Sequence, residues 1–168
     1  MKIKISSLSD GVHDFSFIEP VENIGLKEPF FGNVTADIEL NKIHSQIVLN
    51  VKLNLSANFD CDRCNSNYNS EIKCSYKMVY LLGTEPEESG AINVTYLPAD
   101  ADKIVIDSDV RDYAFLAVPM KKLCKDDCKG LCIKCGKDLN SGDCGCKREE
   151  TDERWLPLLE LRNKINNN

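Results

Sequence analysis

Six of the nine cysteines lie between residues 124 and 146, in the segment CKDDCKGLCIKCGKDLNSGDCGC. Their spacing is C-x3-C-x3-C-x2-C-x8-C-x-C, carried by Cys124, Cys128, Cys132, Cys135, Cys144 and Cys146. Thiolates are soft anionic donors, and four of them enclose a tetrahedral Zn²⁺, so the segment reads first as a zinc-binding tail. Leu131-Cys132-x-x-Cys135-Gly136 has the form of a zinc knuckle. Two thiolates two residues apart reach one ion while the tight turn aims backbone amides at them, and Gly136 suits the positive dihedral of that turn. The partner pair is Cys144 with Cys146, reached through the turn formers Asn140, Ser141 and Gly142, or Cys124 with Cys128. Spacing favours Cys132, Cys135, Cys144 and Cys146 as the quartet without settling the choice. A further C-x2-C, Cys61 and Cys64 with Arg63 between them, is available to complete a site or to make a second one. Fourfold thiolate coordination leaves no open position for water, so the expected role of the ion is structural.

Other chemistries fail on inventory. The only histidines are His13 and His44; neither neighbours a cysteine, and His44 falls on the polar side of an alternating run, so both read as surface residues. Phosphate-binding, dinucleotide-binding and nucleophile-elbow glycine patterns are absent. A redox role for Cys61 and Cys64 lacks the helix that would depress a thiol pKa; a thiol-dependent redox or metal-handling protein is the alternative reading, separated from a structural module by titrating free thiols in the native protein.

The elements that must position these thiols are mostly strands. In IHSQIVLNVKLNLS the apolar residues Ile43, Ile47, Leu49, Val51, Leu53 and Leu55 occupy odd positions, with His44, Gln46, Asn50, Lys52 and Asn54 between them, which predicts a half-buried strand. SEIKCSYKMVYLL repeats the pattern, with Ile72, Cys74, Tyr76, Met78, Tyr80 and Leu82 on one face; Cys74 therefore reads as a core residue. The two strands are expected to pair antiparallel through DCDRCNSNYN, leaving Cys61 and Cys64 at the tip of a long hairpin. Shorter strands are expected in KIKISS, DFSFIE, VTADIEL and INVTYL, and a loop in GTEPEESG. Asp107 or Ser108 is placed to cap a helix with Val110, Tyr113, Ala114 and Ala117 on its apolar face, ended by Pro119. TDERWLPLLELRNKI predicts a terminal helix with Trp155, Leu158, Leu159 and Ile165 on one face. The expected architecture is α+β: an antiparallel, barrel-like sheet with a short helix over residues 1–119, then a cysteine-rich zinc-binding tail over 120–168.

The chain of 168 residues is 42% hydrophobic, enough for a core. Its N-terminus has no apolar stretch resembling a secretory signal, and no apolar run is long enough to span a membrane, so a cytoplasmic setting with reduced thiols is expected. Net charge is −6, unevenly spread: residues 1–120 carry 10 basic and 18 acidic side chains, residues 121–168 carry 11 and 9. Any electrostatic footprint for RNA is therefore local. Residues 121–147 hold seven lysines against four aspartates, but a zinc tetrathiolate adds −2, so the metallated tail is only mildly basic.

In three ordered features the sequence resembles the YceD family, the large ribosomal RNA subunit accumulation proteins: F-D-C-D-R-C at Phe59–Cys64, V-P-M-K-K-L-C at Val118–Cys124, and C-K-G-L-C-x-K-C-G-x-x-L-N-x-G-x-C-x-C at Cys128–Cys146. Asp152-Glu153-Arg154 stands where relatives commonly have Asp-Pro-Arg, and Ile133 where the knuckle usually has proline; neither change removes a ligand. The resemblance implies a bacterial cytoplasmic, non-catalytic factor for 23S ribosomal RNA accumulation or processing, acting in large-subunit assembly on the RNA, a pre-50S particle or a ribosomal protein. It places Cys61, Arg63 and Cys64 in the family's most recurrent motif, and the cysteine tail in that of a subset of members. On this reading Arg63, Lys121, Lys122, Lys129 and Lys134 contact phosphates, and zinc holds the backbone that presents them.

Overall fold

The structure, a computed structural model, describes residues 1–83 and 93–146, together with positions 154, 157, 158, 161 and 162. The chain divides into two compact units, Met1–Asp126 and Asp127–Asn168. The terminal helix expected over 151–165 falls largely outside the described residues, as does the GTEPEESG loop apart from Gly83.

The first unit is built on a five-stranded sheet of β2 (Gly11–Pro20), β3 (Phe30–Ile43), β4 (Gln46–Asp60), β5 (Asn67–Leu82) and β6 (Val94–Leu97), in that spatial order. A separate two-stranded sheet pairs β1 (Lys2–Lys4) with β7 (Lys103–Val105). The sheet is not closed into a barrel: β2 and β6 are its edges. Nor is it antiparallel throughout, because β6 runs parallel to β5, with Val79 opposite Val94 and Leu82 opposite Leu97. Edge polarity leaves no mark on a four-residue apolar run, so alternation alone could not reveal it.

Alternation fixes which face is buried. In β4 every second residue from Ile47 to Phe59 is buried, and pairing brings Leu49 opposite Leu40 and Met78, and Val51 opposite Ile38 and Tyr76. A one-residue slip would turn this whole set to solvent, so register is strongly specified. Each fully buried Leu or Ile contributes roughly 1.5–3 kcal/mol. The core also takes in Ile3, Ile5, Val21, Ile24, Leu26, Ile104 and Ile106, with Val110 and Ala114 of α1 (Asp107–Leu116), which packs on β4 and β5. The opposite face is polar and cross-linked: Asn50 Nδ2 donates to Glu39 (3.0 Å), Asn54 Nδ2 to Glu71 (2.7 Å) and Ser16 to Asp37 (2.8 Å).

Two local readings are corrected. His44 does not continue a strand. With Ser45 it forms the two-residue turn between β3 and β4, at φ 52, and its amide donates to Asp10 (3.2 Å). Such turns need a positive φ, which histidine tolerates better than β-branched residues. Neither Asp107 nor Ser108 caps α1 through its side chain: Ile106 holds the cap position, and the Asp107 carboxylate pairs instead with the Met1 amine. The helix ends at Leu116, before Pro119, as the ring of that proline requires. Cys74 lies half-buried against the core, its Sγ 3.8 Å from the Tyr113 carbonyl, and burial pushes its thiol pKa up.

Candidate metal centres

The sixteen- and fifteen-residue strands β5 and β4 pair along their whole length, ending with Asp60 opposite Asn67. That register leaves residues 61–66, CDRCNS, to turn the chain, and the turn has a definite form. The Cys61 amide donates to the Ser66 carbonyl (2.9 Å), and the Asn65 amide to the Cys61 carbonyl (2.8 Å), with Asn65 at φ 56. The tail repeats this arrangement. There the Cys132 amide donates to the Lys137 carbonyl (2.9 Å) and the Gly136 amide to the Cys132 carbonyl (2.8 Å), with Gly136 at φ 71. A bridge between Leu131 and Asp138, and a bond from the Leu139 amide to the Gly130 carbonyl (2.9 Å), make the second knuckle a hairpin tip too.

Both turns aim amides at the first sulfur of the pair. Burial alone would push the Cys61 thiol up, but the amides of Cys124, Cys64 and Arg63 outweigh it and bring the pKa down to about 6. The amides of Cys135 and Lys134, with the Cys144 thiol, bring Cys132 to about 6 as well. Cys146 moves the other way, pushed up to about 12 by hydrogen bonds to Cys135 and Cys144 and by burial. The pattern is that of several acids sharing one small volume: the first proton leaves easily and the last is held by the charge already present. Only a cation lets all four leave together.

The sulfurs gather in two groups, Cys61, Cys64, Cys124 and Cys128, and Cys132, Cys135, Cys144 and Cys146; within each, all lie within 4.8 Å of one another. Either group could hold a metal ion. The six tail cysteines are thus split: Cys124 and Cys128 join the hairpin pair, and the remaining four are the quartet that spacing favours. Among the described residues neither histidine belongs to a group. His13 Nε2 instead meets the Ser9 carbonyl (2.9 Å).

Two supporting residues escaped the sequence reading. Asn65 takes the left-handed position that glycine fills in the tail, a substitution asparagine permits because its short amide tolerates that region. Asn140, expected only as a turn former, donates from Nδ2 to Cys128 Sγ (3.4 Å) and accepts the Lys129 amide on Oδ1 (2.9 Å). The signal for Asn65 is its place directly after a C-x2-C, matching Gly136.

Among the residues expected to meet phosphate, Arg63 is exposed on the first knuckle and donates from Nη1 to the Asp126 carbonyl (3.5 Å). Lys121 is exposed in the same unit; Lys129 and Lys134 are exposed in the second. Lys122 is placed differently. It is half-buried, with Nζ 5.5 Å from the Phe59 ring centre, and it lines an open groove of about 920 Å³ with Glu28, Asp60 and Asp62. Its amide donates to Asp62 (2.7 Å).

The sequence profile of the family described as "Large ribosomal RNA subunit accumulation protein YceD" matches residues 49–162. The chain belongs to the YceD family. The YceD match begins within β4 and takes in both knuckles. The chain is 37% identical over 70 residues to "Large ribosomal RNA subunit accumulation protein YCED homolog 1, chloroplastic" of Arabidopsis thaliana, covering 42% of this chain and 22% of the plant protein. It is 38% identical over 53 residues to the Zea mays protein of the same name, covering 31% and 18%. An uncharacterized protein of Mycobacterium tuberculosis is 28% identical over 109 residues, 61% of this chain and 49% of that one. The chain thus spans half or less of the length of these relatives. No solved structure is significantly similar. Among the described residues no helix is long and apolar enough to cross a membrane.

Proposed function

We propose that this YceD-family protein supports accumulation of the large-subunit ribosomal RNA, the 23S RNA of a bacterial cytoplasm, as a non-catalytic factor in large-subunit assembly with a structural Zn²⁺ in its tail. The observation that carries this reading is the family match over residues 49–162, which includes Arg63 on its knuckle. Cys132, Cys135, Cys144 and Cys146 fit Zn²⁺ by donor type and number: four sulfurs, no oxygen ligand and no open position, which holds backbone rather than activating water. The charge balance supports a few specific phosphate contacts over bulk attraction. Arg63 and Lys121 are the exposed candidates in the first unit, and Lys129 and Lys134 in the second; Lys122, half-buried in a groove also lined by Glu28, Asp60 and Asp62, is the weakest candidate.

The test is depletion of the protein with measurement of the ratio of large- to small-subunit RNA, combined with co-sedimentation of tagged protein with large-subunit precursors at low salt. The expected result is a fall in that ratio and protein in the precursor fractions, with Arg63→Glu reducing co-sedimentation. Each phosphate contact removed should lower the slope of log affinity against log salt by about 1. An unchanged RNA ratio and protein confined to the top of the gradient would overturn the proposal.

A further inference from the structure

The first thiol group shares no residue with the quartet assigned to zinc above, and its geometry makes a separate case. Cys61, Cys64 and Cys128 are buried and Cys124 is half-buried. Unlinked buried thiols normally lie singly in apolar surroundings, as Cys74 does, whereas these four converge on one point. The separations decide between two covalent outcomes. Cys64 Sγ and Cys124 Sγ are 3.7 Å apart, far beyond the ~2.0 Å of a disulfide. In a tetrahedral site with metal–sulfur bonds of about 2.3 Å, adjacent sulfurs stand about 3.8 Å apart, because a tetrahedron's edge is about 1.63 times its centre-to-vertex distance. The Cys64–Cys124 pair therefore sits at the edge length of a zinc tetrathiolate, and all four sulfurs lie within 4.8 Å of one another.

The surroundings agree. Cys61 Sγ receives the amides of Cys124, Cys64 and Arg63. Cys128 Sγ receives Asn140 Nδ2 (3.4 Å). Donors turned toward sulfur favour the thiolate over the thiol and spread the charge of a metal–thiolate centre. The turn at 61–66 is the same as the knuckle at 132–137, down to the left-handed fifth residue.

We infer that Cys61, Cys64, Cys124 and Cys128 form a second, independent metal centre for a thiophilic divalent cation of the Zn²⁺ class, so that each chain carries two ions. This assigns Cys61 and Cys64 to coordination in place of redox exchange, and makes the hairpin tip a fixed mount for Arg63. A closed tetrathiolate leaves no site for substrate, so the centre holds segments 61–64 and 124–128 together and does no chemistry of its own.

The test is metal stoichiometry on the full-length protein purified under reducing conditions. Elemental analysis should give two zinc ions per chain for the wild type and one for the double variant C144S/C146S. Because C61S/C64S could fail to fold, the decisive arm uses the wild type. Alkylation with N-ethylmaleimide, mapped by peptide mass, should leave all eight clustered cysteines unmodified before chelation and modify them after it. Titration of the metal-free protein with Co²⁺ should build sulfur-to-cobalt charge-transfer absorption up to two equivalents. One ion per chain that is lost in C144S/C146S, with Cys61 and Cys64 alkylated in the native protein or joined as a disulfide, would overturn the inference. Neither readout depends on RNA, so failure here and failure of the assembly role are separable.

Discussion

The two knuckles make a quantitative prediction about the residue that follows each C-x2-C. Asn65 at φ 56 and Gly136 at φ 71 hold the left-handed conformation that closes the turn. A Cβ built on Gly136 meets nothing within 4 Å, so Gly136→Ala adds no clash and its cost is the backbone alone, about 1–2 kcal/mol for an L-residue in that region. Gly136→Val adds crowding at a β-branched Cβ and should cost more. The strain is present while the ion holds the turn closed and is relieved when the ion leaves and the turn opens. It therefore weakens metal binding, and at 1.4 kcal/mol per tenfold the upper range for Gly136→Ala is roughly 5- to 30-fold. Asn65→Gly should leave affinity near wild type, since glycine enters the same region freely, whereas Asn65→Ala should weaken the first site. The assay is alkylation of the reduced, zinc-loaded protein across a graded series of chelator concentrations, with protection scored separately for Cys132 and Cys135 and for Cys61 and Cys64. Gly136→Ala should shift only the first of these midpoints and Asn65→Ala only the second. Unshifted midpoints, or shifts of both sites in each variant, would refute the reasoning.

Further consequences follow from the core and from the titrating groups. Leu49, fully buried between Leu40 and Met78, should cost about 2–5 kcal/mol as Leu49→Ala in a denaturant melt. Tyr80 and Tyr76 lie four residues apart on one face of β5 but differ in their hydroxyls: Tyr80 donates to Asp109 (2.7 Å), while the buried Tyr76 hydroxyl has no partner among the described residues. Tyr80→Phe should therefore destabilise by about 1–3 kcal/mol and Tyr76→Phe should be neutral or stabilising; two losses of equal size would contradict this. In the metal-free, reduced protein, Cys61 releases its proton near 6 when folded but near its ordinary 9.0 when unfolded. Its contribution to stability is therefore complete above pH 9 and lost as pH falls through 6. Cys146, held up at about 12, works in the opposite sense, contributing below pH 9 and losing that contribution as pH climbs toward 12. The thermal midpoint of the metal-free protein should rise from pH 6 to 9, and Cys61→Ser should flatten that rise; a rise of the same size in the variant would count against the amide cradle.

What the sequence revealed depended on whether the cause was local. Strict alternation in β4 and β5 identified the two longest strands, their shared buried face and the position of Cys61 and Cys64 at a hairpin tip, because period-two burial and a polar connection are short-range properties. The Cys132–Cys135 knuckle was legible for the same reason. The partners of Cys61 and Cys64 were not: Cys124 is some sixty positions away, and only the closed fold brings its thiol to 3.7 Å from Cys64. The parallel docking of β6, the loss of Asp107 from capping to the Met1 amine and the turn at His44 are likewise decided by neighbours that no local pattern displays.

Under the proposed function, charge narrows how RNA would be held. Residues 121–147 carry three more lysines than aspartates, but a dication in four thiolates is a −2 centre, and two filled quartets make −4. Lys121, Lys122, Lys129 and Lys134 each lie within three positions of a clustered cysteine, so such centres would offset much of their long-range attraction for phosphate. What survives is short-range and geometric. A guanidinium presents a planar fork of donors that a phosphate accepts in bidentate fashion, and its worth depends on position more than on net charge. Arg63 is exposed on a turn whose ends are fixed by fifteen cross-strand pairs of β4 with β5 and whose two flanking thiols lie in one group with Cys124 and Cys128. With both quartets filled as inferred above, the metal centres would weaken the protein's field while fixing the turn that carries Arg63, and under the proposed function that favours recognition of a particular phosphate arrangement over RNA in general.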